Sequence, residues 1–394
     1  MRGSIWRPKP TQAIPAAITE TIPDRITVGL THGELQPKPP ESLLKRLLKT
    51  QNVAVFCELP LSDILLMIRR PIGWTDRLES GFRRWQVYPE RRVKIYFTDR
   101  FVLPLPEGHR FPMSKYRRLR DRLIASPVHF GDVFLEPPAA SDQELKLAHD
   151  AEYVDRVVRG ELTAKELQRI GFPWSPEMVE RSRRSSGATL AAARTAIGEG
   201  IAVNLAGGTH HAMRGTGEGY CVFNDAAVTI RTLMDQGLIA RACVIDCDVH
   251  QGNGTAEILG HQDDVFTFSI HCEKNFPSRK HPSHLDIDLD EGTGDIAYLA
   301  KLEQGLAEVM ASGPYDLAIY LSGADPYAGD RLGRLSLSKE GLRMRDRLVL
   351  DILMERGIPI AVAMAGGYAP NIEDIVDIHA MTVLESARIA SLYC

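Results

Sequence analysis

Short apolar runs recur along the chain from residue 93 onward, and they constrain the fold more than any other feature. They read VKIYF, IAVNLA, ACVID, VFTFSI, LAIYLS and IAVAMA. Runs of this length suit strands that are buried on both faces. Helical-looking segments separate most of them, at 142–159, 183–198, 225–236, 298–311 and 338–356. Strands that alternate with helices predict an α/β fold, with a parallel sheet covered by helices on both faces.

Residues 1–92 do not follow this pattern, and we interpret them as a Pro-rich, partly disordered N-terminal extension of a domain at 93–394. The first forty residues hold too many prolines for regular elements, namely Pro8, Pro10, Pro15, Pro23, Pro37, Pro39 and Pro40. A later stretch, RRPIGWTDRLESGFRRWQVYPERR, interleaves arginines with aromatic residues. Such a mixture can bind nucleic acid, but we favour simple packing of the stretch on the main domain.

The charge and composition of the chain limit the kinds of partner and the cellular setting that we expect. Lys plus Arg number 47 and Asp plus Glu number 51, for a net charge of −4, so there is no global attraction to nucleic acid or to an anionic membrane. We find no stretch with the length of a membrane span. The six cysteines lack the spacing of a disulfide framework, which favours a reducing, cytoplasmic setting. The first 19 residues carry basic residues and no acid, which leaves an organellar transit segment as the alternative.

Polar side chains gather directly after the predicted strands. They are His210 and His211 after IAVNLA, Asp246, Asp248 and His250 at the end of ACVID, His271 after VFTFSI, Asp325 and Asp330 after LAIYLS, and Tyr368 after IAVAMA. Ligands of open α/β sheets bind at the carboxyl ends of the strands. We therefore expect these side chains to line one site.

The stretch DCDVH predicts a metal site. In an extended chain Asp246, Asp248 and His250 share one face. Asp248 and His250, joined by Asp325, make an Asp2His set with open positions, which is typical of a catalytic zinc site. Oxygen-rich ligation also admits Fe(II) or Mn(II). Taken alone, DCDVH could simply end a strand in solvated charges, but its conjunction with a histidine pair and Tyr368 favours a site.

Six motifs together resemble the histone deacetylase superfamily, closest to its bacterial and class IV members. They are NLAGGTHHAM, GEGYCVFND, DCDVHQGNGT, VFTFSIH, GADPYAGDRLGRLSLS and AGGY, and the resemblance spans residues 93–394. It implies a three-layer α/β/α domain with a single, mostly parallel sheet of about eight strands, the arginase–deacetylase fold. It also implies a zinc-dependent amidohydrolase that removes acetyl or other acyl groups from lysine side chains or related amines.

The resemblance also implies a role for each residue at a matching position. Asp248, His250 and Asp325 would bind Zn2+, with Fe2+ as the alternative ion. The remaining assignments are His210 and His211 as the tandem histidines, Asp246 and Asn253 as their partners, Tyr368 as the donor to the carbonyl oxygen, Gly219, Tyr220 and Phe276 around the substrate, and Ser269 with Asp246 near a monovalent cation such as K+. Many class I members have Asp at position 253. Asn cannot stabilise an imidazolium as Asp does, so we expect His211 to stay neutral to lower pH.

Three alternatives remain at this point. A two-manganese ureohydrolase shares the implied fold, but it needs further carboxylates where this chain has Gly252 and Ser322-Gly323-Ala324. A catalytically inactive acyl-lysine-binding scaffold is a second alternative. The chain retains every predicted ligand, both histidines and Tyr368, which such a scaffold would not need. Among deacylases, the substrate could be an acyl-lysine protein or peptide, an acetylated polyamine or another small amide. We expect no nucleic acid or membrane partner, and the sequence does not indicate an oligomeric state.

Overall fold

The structure is a computed structural model that describes residues 93–126 and 133–393. The predicted extension at 1–92, with its arginine-rich aromatic stretch, lies outside these residues. The domain boundary at 93 and the partly disordered character of the extension therefore stay predictions. Four cysteines are described, and all are buried with free thiols: Cys221, Cys243, Cys247 and Cys272.

One sheet of eight parallel strands forms the centre of the fold. The strands are β1 (Lys94–Tyr96), β2 (Phe134–Leu135), β3 (Ile201–Asn204), β4 (Ala242–Asp246), β5 (Val265–Cys272), β6 (Leu285–Leu289), β7 (Leu317–Ser322) and β8 (Ile360–Met364). Their order across the sheet is β2-β1-β3-β8-β7-β4-β5-β6, and all seven pairings are parallel. The six apolar runs are therefore strands, as predicted, and the sequence missed only the two edge strands β2 and β6.

Ten helices occur in the described part of the chain. They are α1 (Lys115–Ile124), α2 (Asp142–Ala148), α3 (Ala151–Arg159), α4 (Ala164–Ile170), α5 (Pro176–Glu199), α6 (Asp225–Asp235), α7 (Asn253–Leu259), α8 (Asp295–Ala311), α9 (Lys339–Glu355) and α10 (Ile372–Tyr393). None of them combines the length and the apolar character that crossing a bilayer requires.

Local sequence signals explain where several helices begin. Ser141 caps α2, because its hydroxyl accepts from the Glu144 N–H at 3.2 Å while Glu144 accepts from the Ser141 N–H at 2.8 Å. Thr163 and Glu166 form the same capping box at α4. The predicted helix at 142–159 is two helices, because His149 is extended and its ring bonds the carbonyl oxygen of Met213 at 2.9 Å.

The central strands separate two apolar layers. In β7, Ala318 and Tyr320 pack into one hydrophobic cluster, whereas Leu317 and Ile319 pack into the other. Because strand side chains alternate between faces, and both faces here are covered, each strand is apolar throughout. Burying each large apolar side chain stabilises the fold by about 1.5–3 kcal/mol. The three-layer α/β/α architecture is confirmed.

Candidate active site

The candidate site lies at the carboxyl ends of the central strands. A cavity of about 610 Å³ opens there, and it is lined by His210, His211, Asp248, His250 and Tyr368. These side chains come from the segments after β3, β4 and β8. Because β8 lies between β3 and β7, segments that are distant in sequence meet at the carboxyl ends of the strands.

The three predicted metal ligands converge in this cavity. One potential ligand atom from each of Asp248, His250 and Asp325 lies within 4.8 Å of the other two, and all three residues are buried. Nδ1 of His250 is 2.9 Å from Oδ1 of Asp248 and 3.4 Å from Oδ2 of Asp325. Oδ2 of Asp325 is buried and accepts no hydrogen bond. A cation would compensate an orphaned carboxylate oxygen of this kind, so the donor set fits a divalent metal.

Backbone groups hold the two carboxylates in place. Oδ2 of Asp248 accepts from the Gly366 N–H at 2.8 Å, and Oδ1 of Asp325 accepts from the Val249 N–H at 3.0 Å. A Cβ atom at Gly366 would lie 1.7 Å from Oδ2 of Asp325. Position 366 therefore requires glycine, because any side chain would displace the Asp325 carboxylate.

The three candidate ligands lie close enough together to perturb each other's pKa values. Burial and the nearby Asp248 carboxylate raise the pKa of Asp325 to about 7. Burial alone would lower the pKa of His250, but the carboxylates of Asp248 and Asp325 outweigh it and raise the value to about 10. Two buried acids that share one basic group indicate a site built to hold positive charge.

The segment after β4 differs in detail from the expected extended chain. The strand ends at Asp246, and residues 248–250 form a bend before which Oδ1 of Asp246 accepts from the Asp248 N–H at 3.1 Å. The predicted alternation is nevertheless present. Cys247 and Val249 pack into the apolar core, whereas Asp248 and His250 line the cavity.

The tandem histidines have different partners. Nδ1 of His210 lies 2.6 Å from Oδ2 of Asp246, and Nδ1 of His211 lies 2.7 Å from Oδ1 of Asn253. The two ring centroids are 4.1 Å apart. Because an amide oxygen only accepts, Nδ1 of His211 is the donor, and its Nε2 is left as a proton acceptor.

The pKa values of the two rings diverge accordingly. Burial opposes the charge on His210, but Asp246 and Asp248 outweigh it and raise its pKa to about 9. Burial lowers the pKa of His211 well below its ordinary value, and the neighbouring His210 and His250 lower it further. Charged His210 thus lies beside neutral His211. The charge on His210 suits electrostatic support, and the neutral ring of His211 suits general base catalysis.

Tyr368 enters the site from the loop after β8. Its N–H donates to Oδ2 of Asp330 at 2.6 Å, and Asp330 also accepts from the Leu332 and Gly333 N–H groups at 2.8 and 2.9 Å. Burial raises the pKa of the Tyr368 phenol well above its ordinary value, and the Asp325 carboxylate adds to the effect. The phenol therefore keeps its proton and can donate it in a hydrogen bond.

Gly219, Tyr220 and Phe276 lie at the cavity as well. The ring of Phe276 meets that of His211 edge-on, with 4.8 Å between centroids, and Phe276 is 38% exposed. A Cβ atom at Gly219, which has a φ of +56°, would lie 2.7 Å from the His211 ring. Glycine thus lets the chain pass close to the histidine, and Phe276 presents a partly exposed ring at the cavity.

Other residues predicted from the sequence lie apart from the main cavity. Ser269 is paired in register with Asp246 on the neighbouring strand, and its hydroxyl is 2.9 Å from Nδ1 of His271. Both Ser269 and Asp246 line a separate cavity of about 10 Å³. The monovalent cation stays a prediction, and His271 lies inside β5 rather than in the active-site cavity.

Several residues that shape the site have no role that the sequence predicts. Asp330 stands out only as a polar residue after a strand, and no pattern singles out Asp225. Asp225 accepts from the Gly208 and Thr209 N–H groups at 3.0 and 2.7 Å and so fixes the loop before the histidines. An acid beside a glycine-rich loop was the only signal available, and it does not say which N–H groups the acid binds.

The surroundings of Gly252 do not support the alternative of a two-manganese ureohydrolase. A Cβ atom there would lie 2.4 Å from Oδ2 of Asp246, so a bridging carboxylate has no room. Within residues 93–126 and 133–393, Asp248, His250 and Asp325 form the one cluster with the spacing of a metal site.

The fold and the site together define a class of α/β proteins whose candidate metal centre lies at the ends of a parallel sheet. Comparison with known proteins narrows this class. A profile described as the histone deacetylase domain matches residues 109–383. An uncharacterized protein of Picosynechococcus sp. (strain PCC 7002) is 43% identical over 287 residues, which cover 73% of this chain and 95% of that protein. The chain therefore belongs to the histone deacetylase family.

More distant relatives agree with this assignment. The histone deacetylase-like amidohydrolase of Pseudomonas aeruginosa is 28% identical over 289 residues, or 68% of this chain and 74% of that protein. Among solved structures, an HDAC homologue from Aquifex aeolicus superposes with a TM-score of 0.63 at 24% identity, covering 76% of this chain and 84% of that one. At this identity the superposition supports the fold alone.

Proposed function

We propose that the protein is a metal-dependent deacylase that hydrolyses the amide bond of acylated lysine side chains or related small amines. The observation that carries the proposal is the position of a neutral histidine beside the metal-ligand cluster. His211 has a free Nε2, and its ring centroid lies 5.8 Å from that of His250. Family membership supports the same reaction class.

Asp248, His250 and Asp325 would hold the metal, with zinc preferred and Fe(II) as the alternative. When bound there, a divalent ion would polarise the amide carbonyl and lower the pKa of a water molecule. His211 takes a proton from that water at Nε2 and later delivers it to the departing amine. The water oxygen adds to the carbonyl carbon and the C–N bond breaks, so the products are a carboxylic acid and an amine, which exchange a proton to give a carboxylate and an ammonium group.

His210 and Tyr368 stabilise charge during this step. His210, held charged by Asp246, supports the negative charge that develops beside it. The Tyr368 phenol keeps its proton and donates to the carbonyl oxygen as that oxygen becomes an oxyanion. Phe276 and Tyr220 flank the acyl-bearing chain as it enters. An extended lysine side chain or a linear amine fits an entrance of this kind, and the structure favours neither over the other.

A turnover assay tests the proposal. The protein is assayed on a fluorogenic acetyl-lysine peptide and on an acetylated polyamine, before and after treatment with a chelator, and metal is counted per chain. We expect turnover of at least one substrate, loss of turnover on chelation, recovery with zinc or Fe(II), and one catalytic ion per chain. Two ions per chain, or no turnover of any acylated amine by metal-loaded protein, would contradict the proposal.

Tyr368→Phe separates catalysis from metal binding. Losing one oxyanion donor costs about 100-fold or more in kcat, while the three ligands remain, so the variant should keep its metal. The same metal content with undiminished kcat would exclude Tyr368 from the reaction. A variant that has lost its metal shows instead that the tyrosine loop supports the ligands.

A further inference from the structure

Glu218 lies close to the tandem histidines, and the reaction proposed above gives it no role. It is partly buried and lines the active-site cavity next to Gly219. Its Oε2 accepts a hydrogen bond from Nδ2 of Asn253 at 3.4 Å. Oδ1 of the same asparagine accepts from Nδ1 of His211 at 2.7 Å. Glu218 is therefore joined to the proposed general base through a single amide group.

A tight turn at residues 218–221 fixes the backbone of Glu218. The Glu218 N–H donates to the Cys221 carbonyl oxygen at 3.0 Å, and the Cys221 N–H donates back to that of Glu218 at 2.8 Å. The two central residues, Gly219 and Tyr220, have φ values of +56° and +66°, the pattern of a type I′ turn. Tyr220 is the one non-glycine residue with positive φ among residues 93–126 and 133–393. Such strain persists only where the surroundings hold the backbone in place.

Two further backbone hydrogen bonds anchor this turn to the end of α4. The Gly219 N–H donates to the Arg169 carbonyl oxygen at 3.1 Å. The Tyr220 N–H donates to the Ile170 carbonyl oxygen at 2.7 Å. Because backbone groups make all of these bonds, replacing the side chain of Glu218 should leave the turn intact.

The amide of Asn253 can be placed in two orientations, which exchange Oδ1 and Nδ2. In the observed one, Nδ2 donates to Glu218 and Oδ1 accepts from His211. In the other, Oδ1 would face a carboxylate oxygen with no proton between the two acceptors. Asn253 is fully buried, so the misplaced groups could not bond water instead. A carboxylate at position 218 therefore selects the observed orientation.

The orientation of this amide decides which nitrogen of His211 carries the proton. The tautomer of a histidine is set by the hydrogen bond that its other nitrogen makes. An amide oxygen at Nδ1 requires the Nδ1–H tautomer, which leaves Nε2 free to accept a proton. An amide NH2 group at Nδ1 would require the opposite tautomer, whose Nε2–H cannot act as a base.

We propose that Glu218 is a positioning residue that acts through Asn253 to hold His211 in the tautomer that a general base requires. This role rests on the proposed function, in which His211 is that base, and it adds a third residue to the His211–Asn253 pair. Within the part of the chain that the structure describes, the Glu218 carboxylate pairs with no cation, so it remains a strong acceptor for Asn253.

Glu218→Gln tests the selection with little change of size. A glutamine side chain can donate as well as accept, so it can satisfy Asn253 in either orientation. NMR of full-length, zinc-loaded protein with isotope-labelled histidine tells a protonated ring nitrogen from a bare one, and the His211 signals are those lost in His211→Gln. We expect the Nδ1–H tautomer in the wild type and a mixture of tautomers in Glu218→Gln. The Nε2–H tautomer in the wild type, or a pure Nδ1–H tautomer in Glu218→Gln, would overturn the proposal.

The kinetic arm asks whether Glu218 acts through Asn253. kcat and KM for an acetyl-lysine peptide are measured for Glu218→Gln alone and in an Asn253→Asp background, each at a pH on the plateau of its own profile. Losing the selection that one hydrogen bond to a charged group imposes should lower kcat about 3- to 10-fold, with KM changed less than about 2-fold. Asn253→Asp has no amide to orient, so in that background Glu218→Gln should no longer lower kcat.

Glu257→Gln is the matched control, because Glu257 is a partly buried glutamate of α7 that accepts from the Arg214 N–H at 2.9 Å. It should leave kcat unchanged, and circular dichroism establishes that each variant is folded. A change in KM alone would mean that Glu218 acts on substrate binding, and equal losses of kcat in both backgrounds would mean that it does not act through Asn253. Either result overturns the proposal. The expected change of tautomer in a protein that hydrolyses no acylated amine sinks the proposed function and leaves the positioning role standing.

Discussion

At the scale of single residues, the chemistry of the site depends on which partner each histidine has. His210 faces a carboxylate and His211 faces an amide, although the two residues are adjacent in the chain and similarly buried. Burial disfavours the charge on both rings, and of the two only His210 has a carboxylate partner that outweighs it, so His211 stays neutral. The proposed assignment of His211 as the general base therefore depends on the difference between Asp246 and Asn253.

Asn253→Asp tests this assignment. A carboxylate at 2.7 Å from Nδ1 would raise the pKa of His211, by about 1–3 units for an opposite charge at such a distance. Only neutral His211 accepts a proton, so the acidic limb of the kcat/KM pH profile should move to higher pH by a similar amount. Asn253→Ala, which adds no charge, should produce no such upward shift. An identical acidic limb in wild type and Asn253→Asp would show that His211 is not the base.

At the scale of secondary-structure elements, α9 supports the two segments that carry the candidate ligands Asp248 and Asp325. Arg345 of α9 is fully buried, and its guanidinium donates to the carbonyl oxygens of Gly323 at 2.5 Å and Cys247 at 3.2 Å. These residues directly precede Ala324-Asp325 and Asp248. Asp346 pairs with Arg345 at 2.7 Å and accepts from the Tyr320 hydroxyl at 2.5 Å.

Arg345→Met should destabilise the protein and weaken metal binding at the candidate site. Removing one partner of a buried ion pair leaves the other charge uncompensated, which typically costs about 3–5 kcal/mol of unfolding free energy. Urea unfolding of chelator-treated protein measures this loss, and zinc titration measures the metal affinity. Arg347→Met is the matched control, because Arg347 pairs with Asp351 at 3.6 Å near the surface, where such a pair contributes less than about 1 kcal/mol. Equal losses in the two variants would contradict the supporting role of Arg345.

The sequence predicted the elements that apolar patterning defines, and it missed those that depend on neighbours. The six buried runs stand out because both of their faces are covered. By contrast, β6 reads LDIDL and lies at the sheet edge with most of its residues partly exposed, so acids are tolerated within it. The ligand triad was predictable because strand ends converge. The contact between Glu218 and Asn253 was not, because it joins residues that are distant in sequence and no local pattern encodes it.

At the scale of the whole molecule, buried neutral histidines make stability depend on pH. His149 is 1% exposed, with Nδ1 donating to the Met213 carbonyl oxygen at 2.9 Å and Nε2 accepting from the Asn224 N–H at 2.9 Å. Burial lowers its pKa from 6.5 to about 4. Below pH 6.5 the unfolded chain therefore binds a proton that the folded chain does not.

The unfolding free energy contributed by His149 should fall as the pH falls from 6.5 toward about 4. The slope is at most about 1.4 kcal/mol per pH unit for one proton. His149→Gln cannot titrate, so its unfolding free energy should depend less steeply on pH in this window, as measured by denaturant unfolding at several pH values. His261→Gln, which changes an exposed histidine, serves as the control. Parallel curves for wild type and His149→Gln would refute the expectation.

The position of β8 has a consequence for biosynthesis. It is the last strand of the chain, yet it lies between β3 and β7 and joins β2-β1-β3 to β7-β4-β5-β6. A nascent chain on the ribosome can pair each group separately, but it cannot unite them until Met364 has emerged. The histidine pair, which follows β3, and the candidate metal ligands, which follow β4 and β7, can therefore meet only late in translation.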